Sequence, residues 1–275
     1  MAFRHLREHV GGDVVAGAEA GSGRPLLLLH GLGGTWGYWT RTMELLAGSF
    51  RCIALDLPGF GASATPPGGF TLDSASDNLA GALEAVGGAP AVVCGHSLGG
   101  PLAARLAIRH PQAVSRLVLV GPSGLSPAPA WQRRVLRAVP AYNLLQRAPF
   151  AWERWLLPIA PLRHAAIALL VHNPSAVDPA LIGRILDGAR HARELTPALN
   201  ASFATGLDDD APLVLAPISA IWGERDRMAL PSDSEILRRV VPSADVRFLP
   251  ACGHLPMVER PEAFSELLRR LATLD

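Results

Sequence analysis

The chain contains no lysine; all 25 of its basic residues are arginine. That absence removes a class of chemistry, because no Schiff base to an internal amine, no serine–lysine dyad and no phosphate-loop lysine can be built. Cysteine is scarce as well. Cys52, Cys94 and Cys252 make an odd count without the paired spacing of a metal site. Cys52 and Cys94 sit inside apolar runs, where a thiol behaves as a small hydrophobe. Long apolar runs are missing too: Pro25–Leu29 and Leu117–Val120 are typical, and none approaches the ~18 residues of a membrane span. Neither sign of charge dominates, with a formal net charge of +1, which argues against a nucleic-acid partner. The opening MAFRHLREHVGG lacks the apolar stretch of a secretory leader, so a cytoplasmic protein is expected.

What the chain does have is 275 residues, 49% of them hydrophobic, enough for one large domain or a domain with an insertion. Short β-rich runs alternate with helical patterns. Strands are expected at Pro25–His30, Arg51–Leu57, Ala91–Gly95 and Arg116–Val120, with helices at Leu72–Val86 and Leu98–His110. Continuous apolar strands in such alternation imply an α/β fold with a parallel sheet covered on both faces. From Pro122 to about Pro212 the alternation stops. Asp178-Pro179 reads as an N-cap followed by proline at the first helical position, with Leu181, Ile182, Ile185 and Leu186 as its apolar stripe. Asp208-Asp209-Asp210 reads as a solvated hinge. Strands resume at Ile218–Trp222 and Ala244–Leu249, and a final helix carries Phe264, Leu267, Leu268 and Leu271 on one face. The expected division is a core of residues 1–121 and 213–275 with a helical insertion at 122–212.

Chemistry enters at Gly95-His96-Ser97-Leu98-Gly99, a G-x-S-x-G motif between an expected strand and an expected helix. A sharp turn there lifts a serine hydroxyl clear of the sheet, and flanking glycines avoid clashes that a Cβ would cause. Such an alcohol needs a base, and the base needs an orienting carboxylate. Of nine histidines, His5 and His9 read as part of an N-terminal extension. His164, His172 and His191 lie in the insertion, His110 ends a helix, His30 opens a turn and His96 is inside the motif. His254 sits in the loop leaving the last strand, where open parallel sheets gather their ligand groups; it is the candidate base. Trp222-Gly223-Glu224-Arg225-Asp226 supplies the acid: Asp226 by choice, Glu224 in reserve. The backbone N–H groups of Leu98 and of Leu32, in His30-Gly31-Leu32-Gly33-Gly34, are the candidate oxyanion donors.

With these landmarks in order, the chain resembles the α/β-hydrolase superfamily over nearly its whole length, on HGLGG, DLPGFGAS, GHSLGG, WGERD and GHLPMVERPEAF. The resemblance implies a mostly parallel eight-stranded sheet flanked by helices, a helical cap at 122–212, and a serine-hydrolase mechanism carried by Ser97, Asp226 and His254. Ser97 stands where haloalkane dehalogenases and epoxide hydrolases carry aspartate, which argues against both. The capped form is similar to carboxylesterases, enol-lactonases and meta-cleavage C–C hydrolases; the last usually carry asparagine where this chain has His96. Ester hydrolysis is therefore expected, with C–C, lactone or thioester hydrolysis as the alternative and a catalytically idle binding protein as the rival from another class. The expected partner is a small-molecule substrate, and the mechanism calls for no cofactor and no metal. Gly31, His96, Trp131, Trp152 and Trp155 are the candidate pocket residues. Between Pro122 and Leu207 nine arginines face four acids; a solvated helix surface is the plain reading and attraction of an anionic substrate the sharper one.

Overall fold

Strands form where apolar runs are bounded by turn residues, and in the computed structural model, which describes residues 2–126, 157–204 and 206–274, they assemble into one sheet. The strands are β1 (Arg4–Val10), β2 (Asp13–Ala20), β3 (Arg24–Leu29), β4 (Phe50–Leu55), β5 (Ala91–His96), β6 (Val114–Val120), β7 (Ile218–Gly223) and β8 (Asp245–Leu249). Their order is β1-β2-β4-β3-β5-β6-β7-β8. β1–β2 and β2–β4 pair antiparallel and every other pair is parallel. The mostly parallel eight-stranded sheet is the expected one.

The N-terminus differs from expectation. His5 and His9 are not in an extension; they stand on β1, opposite Ala18 and Val14. The hairpin turns at Gly11 and Gly12, both at positive φ, as a two-residue hairpin loop requires. Leu6 alone on β1 is buried. A strand with one apolar anchor among His5, Arg7 and His9 looks like a polar tail when read without its neighbours, and the same polar residues suit an edge strand.

Helices cover both faces. Along β3, Leu27 and Leu29 point into one apolar cluster and Leu26 and Leu28 into the other, the period-2 consequence of the pleat. On the first face lie α2 (Leu72–Ala85) and α3 (Gly99–Arg109), contributing Leu79, Leu83, Leu102 and Ala103. On the second lies α1 (Thr40–Leu46), with Met43 and Leu46. Each fully buried leucine contributes about 1.5–3 kcal/mol. α2 starts where Thr71 Oγ1 accepts the Ser74 N–H at 3.0 Å, with Ser74 Oγ returning the bond to the Thr71 N–H, a reciprocal cap.

Between β6 and β7 the described residues hold helices and no strand: α4 (Ala160–Ile167), α5 (Pro179–His191), α6 (Leu195–Ala204) and α7 (Leu207–Asp210). The Asp178 cap is present, its Oδ1 accepting the Ala180 N–H at 2.8 Å. The three aspartates are not a solvated hinge: they form α7, and Asp210 is buried, with Arg105 Nη2 3.2 Å from its Oδ2. A nearby arginine on α3 makes that burial tolerable, and its position is invisible to local sequence. Trp131, Trp152 and Trp155 lie outside the described residues. After β7 come α8 (Asp233–Val240), the short α9 (Pro256–Glu259) and α10 (Pro261–Ala272), whose Phe264, Leu268 and Leu271 are buried in the second cluster as the stripe predicts. Among the described residues no helix is long and apolar enough to cross a membrane.

The antiparallel join of β2 to β4 tolerates no side chain at Gly17, where a Cβ would lie 2.2 Å from the Ala54 carbonyl oxygen. Gly17→Ala is expected to lower stability by about 1–3 kcal/mol in urea unfolding, and an unchanged midpoint would contradict that contact.

Candidate active site

The turn from β5 into α3 is strained by design of its sequence. Ser97 has φ of 52°, the left-handed region that costs a non-glycine residue energy. Its neighbours make room. A Cβ on Gly95 would lie 2.1 Å from the Gly99 carbonyl oxygen, and one on Gly99 would lie 2.6 Å from the Leu29 carbonyl oxygen. The serine backbone is pinned on both sides: its N–H donates to Val120 O at 3.0 Å, and its carbonyl accepts from Gly100 and Ser123. The side chain is left half-buried at the sheet's carboxyl edge, with the positive end of α3 beneath it.

His254 and Asp226 come from the loops after β8 and β7. Both are buried, at 5% and 4% exposure, and His254 Nδ1 lies 2.8 Å from Asp226 Oδ2. The other carboxylate oxygen accepts the Met228 and Ala229 N–H groups at 2.8 and 2.9 Å. With Nδ1 donating to the carboxylate, Nε2 is the imidazole atom left with a lone pair. Glu224, the reserve acid, is exposed on the same loop; the structure brings Asp226 to the histidine. Gly121 permits the approach, since a Cβ there would lie 2.9 Å from Asp226 Oδ2.

His96 joins the serine turn to the histidine loop. Its Nε2 donates to the His254 carbonyl at 2.8 Å, and the two rings lie 4.7 Å apart. A Cβ on Gly31 would meet the Ser97 Cβ at 2.9 Å and His96 Nδ1 at 3.0 Å. So the turn after β3, the serine turn and the histidine loop meet at one point. His96 is buried as a brace in this junction. Burial, and then the proximity of His254, hold its pKa well below the ordinary histidine value, so it is neutral. In the turn after β3, the Leu32 N–H makes no hydrogen bond among the described residues, and the same holds for the Leu98 N–H at the head of α3. Two free donors at adjoining turns suit an anionic oxygen.

In the sequence His30 reads only as a turn residue. The structure spends both its nitrogens: Nδ1 donates to Gly31 O at 2.7 Å and Nε2 accepts the Leu57 N–H at 2.9 Å. His30 is fully buried, and burial lowers its pKa. Next to it, Asp56 accepts the Trp36 and Ala62 N–H groups at 2.7 and 2.9 Å, fixing the glycine-rich turn to the loop after β4. These partners lie too far along the chain for a local motif to reveal them. Cys252, two residues before His254, is buried with its thiol pushed up to about 12, which makes it a packing residue.

Comparison with known proteins agrees with the fold. The family described as alpha/beta hydrolase fold matches residues 24–261. A curated relative, 2-hydroxymuconate semialdehyde hydrolase of Pseudomonas sp. (strain CF600), is 31% identical over 261 residues, covering 91% of this chain and 87% of the relative. Among solved structures, a thermophilic esterase from Thermogutta terrifontis superposes with a TM-score of 0.78 at 25% identity, covering 98% of this chain and 100% of the other. The enol-lactonase from Burkholderia xenovorans LB400 gives 0.77 at 22% identity, covering 98% and 100%; at that identity the likeness speaks to the fold.

The two neutral histidines carry a pH signature. Unfolded, each titrates near 6.5; folded, each has a lowered pKa and refuses the proton. Above that range both states are neutral, and as pH falls below it the unfolded chain alone takes up protons, so stability falls. The slope is up to about 1.4 kcal/mol per pH unit for each histidine. Urea midpoints measured at several pH values should show His96→Gln losing one proton's worth of this slope; an unchanged slope would refute a neutral His96.

Proposed function

Since the chain belongs to the alpha/beta hydrolase family, we propose that it is a serine hydrolase that cleaves carboxylic esters through Ser97, His254 and Asp226. The 2.8 Å bond between His254 Nδ1 and buried Asp226, at the junction that also holds Ser97, carries this reading. Ser97 Oγ attacks the acyl carbon while His254 Nε2 takes its proton. Asp226 holds the imidazole in the required tautomer and stabilises the imidazolium. The carbonyl oxygen, now anionic, accepts from the Leu32 and Leu98 N–H groups, which have no other hydrogen-bond partner among the described residues. His254 returns the proton to the leaving alcohol, and water repeats the sequence to release the acid.

Residues 122–212 serve as a cap over this site, with 1–121 and 213–275 as the core. The substrate is a small molecule. A cytoplasmic site of action fits three cysteines that are all buried and unpaired.

The second reading is hydrolysis of a carbon–carbon bond. It rests on the 31% identity to 2-hydroxymuconate semialdehyde hydrolase, whose substrate, as named, contains no ester linkage. The histidine at position 96 favours the ester, because C–C hydrolases usually place asparagine there.

A fluorophosphonate probe should label Ser97, and absence of labelling in the wild type would sink the enzyme reading in favour of an idle binding protein. Asp226→Asn should lower kcat by about 10³–10⁴-fold while Glu224→Gln stays near wild type; the reverse ranking would move the acid. Turnover of p-nitrophenyl esters but not of vinylogous diketones supports the ester reading, and the opposite pattern supports the C–C reading.

A further inference from the structure

The loop that carries His254 does not hold itself in place. It leaves β8 through Ala251, a non-glycine residue with φ of 48°, and then presents three consecutive N–H groups. None of the three bonds within the loop's own turn. Gly253 N–H donates to Glu259 Oε2 at 2.8 Å. His254 N–H and Leu255 N–H both donate to the carbonyl of Leu170, at 2.8 and 3.2 Å. Leu170 belongs to the segment inserted between β6 and β7, just after α4.

Glu259 reaches the same inserted segment. Besides Gly253, its carboxylate accepts the His172 N–H at 3.0 Å on Oε2 and the Asn173 N–H at 2.7 Å on Oε1. The segment and the loop are also in backbone contact: a Cβ on Gly253 would lie 2.6 Å from His172 N and 2.8 Å from Val171 Cα. On the opposite side the loop leans on the acid-bearing turn, with Arg225 N–H donating to Cys252 O at 2.9 Å. Glu259 ends the four-residue α9, directly before Arg260, the N-cap of α10. The three charge-assisted N–H bonds account for its position.

We propose that Glu259 is a positioning residue for His254: its carboxylate clamps the inserted segment at His172 and Asn173 to the histidine loop at Gly253, so that the base is in place only while the segment is docked. The proposal rests on the reading of His254 as the base. Glu259 touches no reacting atom; it acts through the backbone on either side of the imidazole. The stretch 170–173 is then a fixed wall of the site and not a flap that lifts for substrate.

Glu259→Gln tests this, because the amide keeps the side chain's size while its NH₂ group faces N–H donors in place of an acceptor. The expected result is a fall in kcat of about tenfold or more with KM within about twofold, together with loss of the far-downfield proton resonance of the His254 Nδ1–H in the substrate-free protein. A kcat and proton resonance like the wild type would overturn the proposal, whatever the change in Tm, as would a rise in KM alone. Should the variant fail to fold, amide hydrogen exchange on the wild type decides. The amides of Gly253, His254 and Leu255 should open together with those of His172 and Asn173, and protection of the first three while the last two exchange freely would overturn it. Failure of Ser97 labelling would sink the hydrolase reading and leave this exchange result readable.

Discussion

The site depends on how closely backbone can approach backbone at the end of β5. Strand, turn and helix are packed so tightly against the Leu29 carbonyl and one another that hydrogen is the only substituent the Cα atoms of Gly95 and Gly99 can carry. That crowding fixes the height of Ser97 above the sheet and aims α3 under it. The energy for holding Ser97 at positive φ comes from the surrounding strands, β3, β5 and β6, whose central leucines and valines are fully buried. A local strain of a few kcal/mol persists where the surroundings over-determine it, and here they do so through parallel pairing on both sides of β5.

Around that turn the protein places buried, neutral imidazoles where charge would be costly. His30 and His96 use imidazole as a rigid spacer, one between the β3 and β4 loops and the other between the serine turn and the histidine loop. Each is held neutral by burial. The buried acids beside them, Asp56 and Asp226, each have both oxygens occupied by donors. His96 Nδ1, buried beside Gly31, is left without a hydrogen-bond partner among the described residues.

Much of this was legible in the sequence, and the reasons are local. Apolar runs marked β3 to β7 and a polar–apolar alternation marked β8, and glycines marked the turns because a single missing Cβ is a property of one residue. Ser97 was visible from its spacing, and Asp226 and His254 from the loops they occupy. What escaped was whatever depends on a distant partner. β1 carries one buried leucine, so its pairing with β2 decides its nature. Asp210 looks like one of three solvated acids until Arg105 is placed beside it. His30 and Glu259 act on Leu57, His172 and Asn173, contacts that no motif at either end announces. Turns and apolar runs are local properties of the chain; the contacts that hold them together are written in separations of tens of residues.

The order of synthesis gives one of these separations a further meaning. α10 closes the face that β3 and α1 open: Arg24 Nη1 donates to the Ala272 carbonyl at 3.2 Å, Arg41 pairs with Glu262 at 3.0 Å, and the Trp39 and Phe264 rings lie 6.1 Å apart. Residues more than two hundred positions apart thus complete one apolar layer, a long loop to close before any reward is gained. On the ribosome, β3 to β6 emerge with that layer uncovered, and Ser97 is made long before His254. A nascent chain therefore carries its serine turn without the histidine loop, and the two meet only once β8, α9 and α10 have formed and the layer has closed.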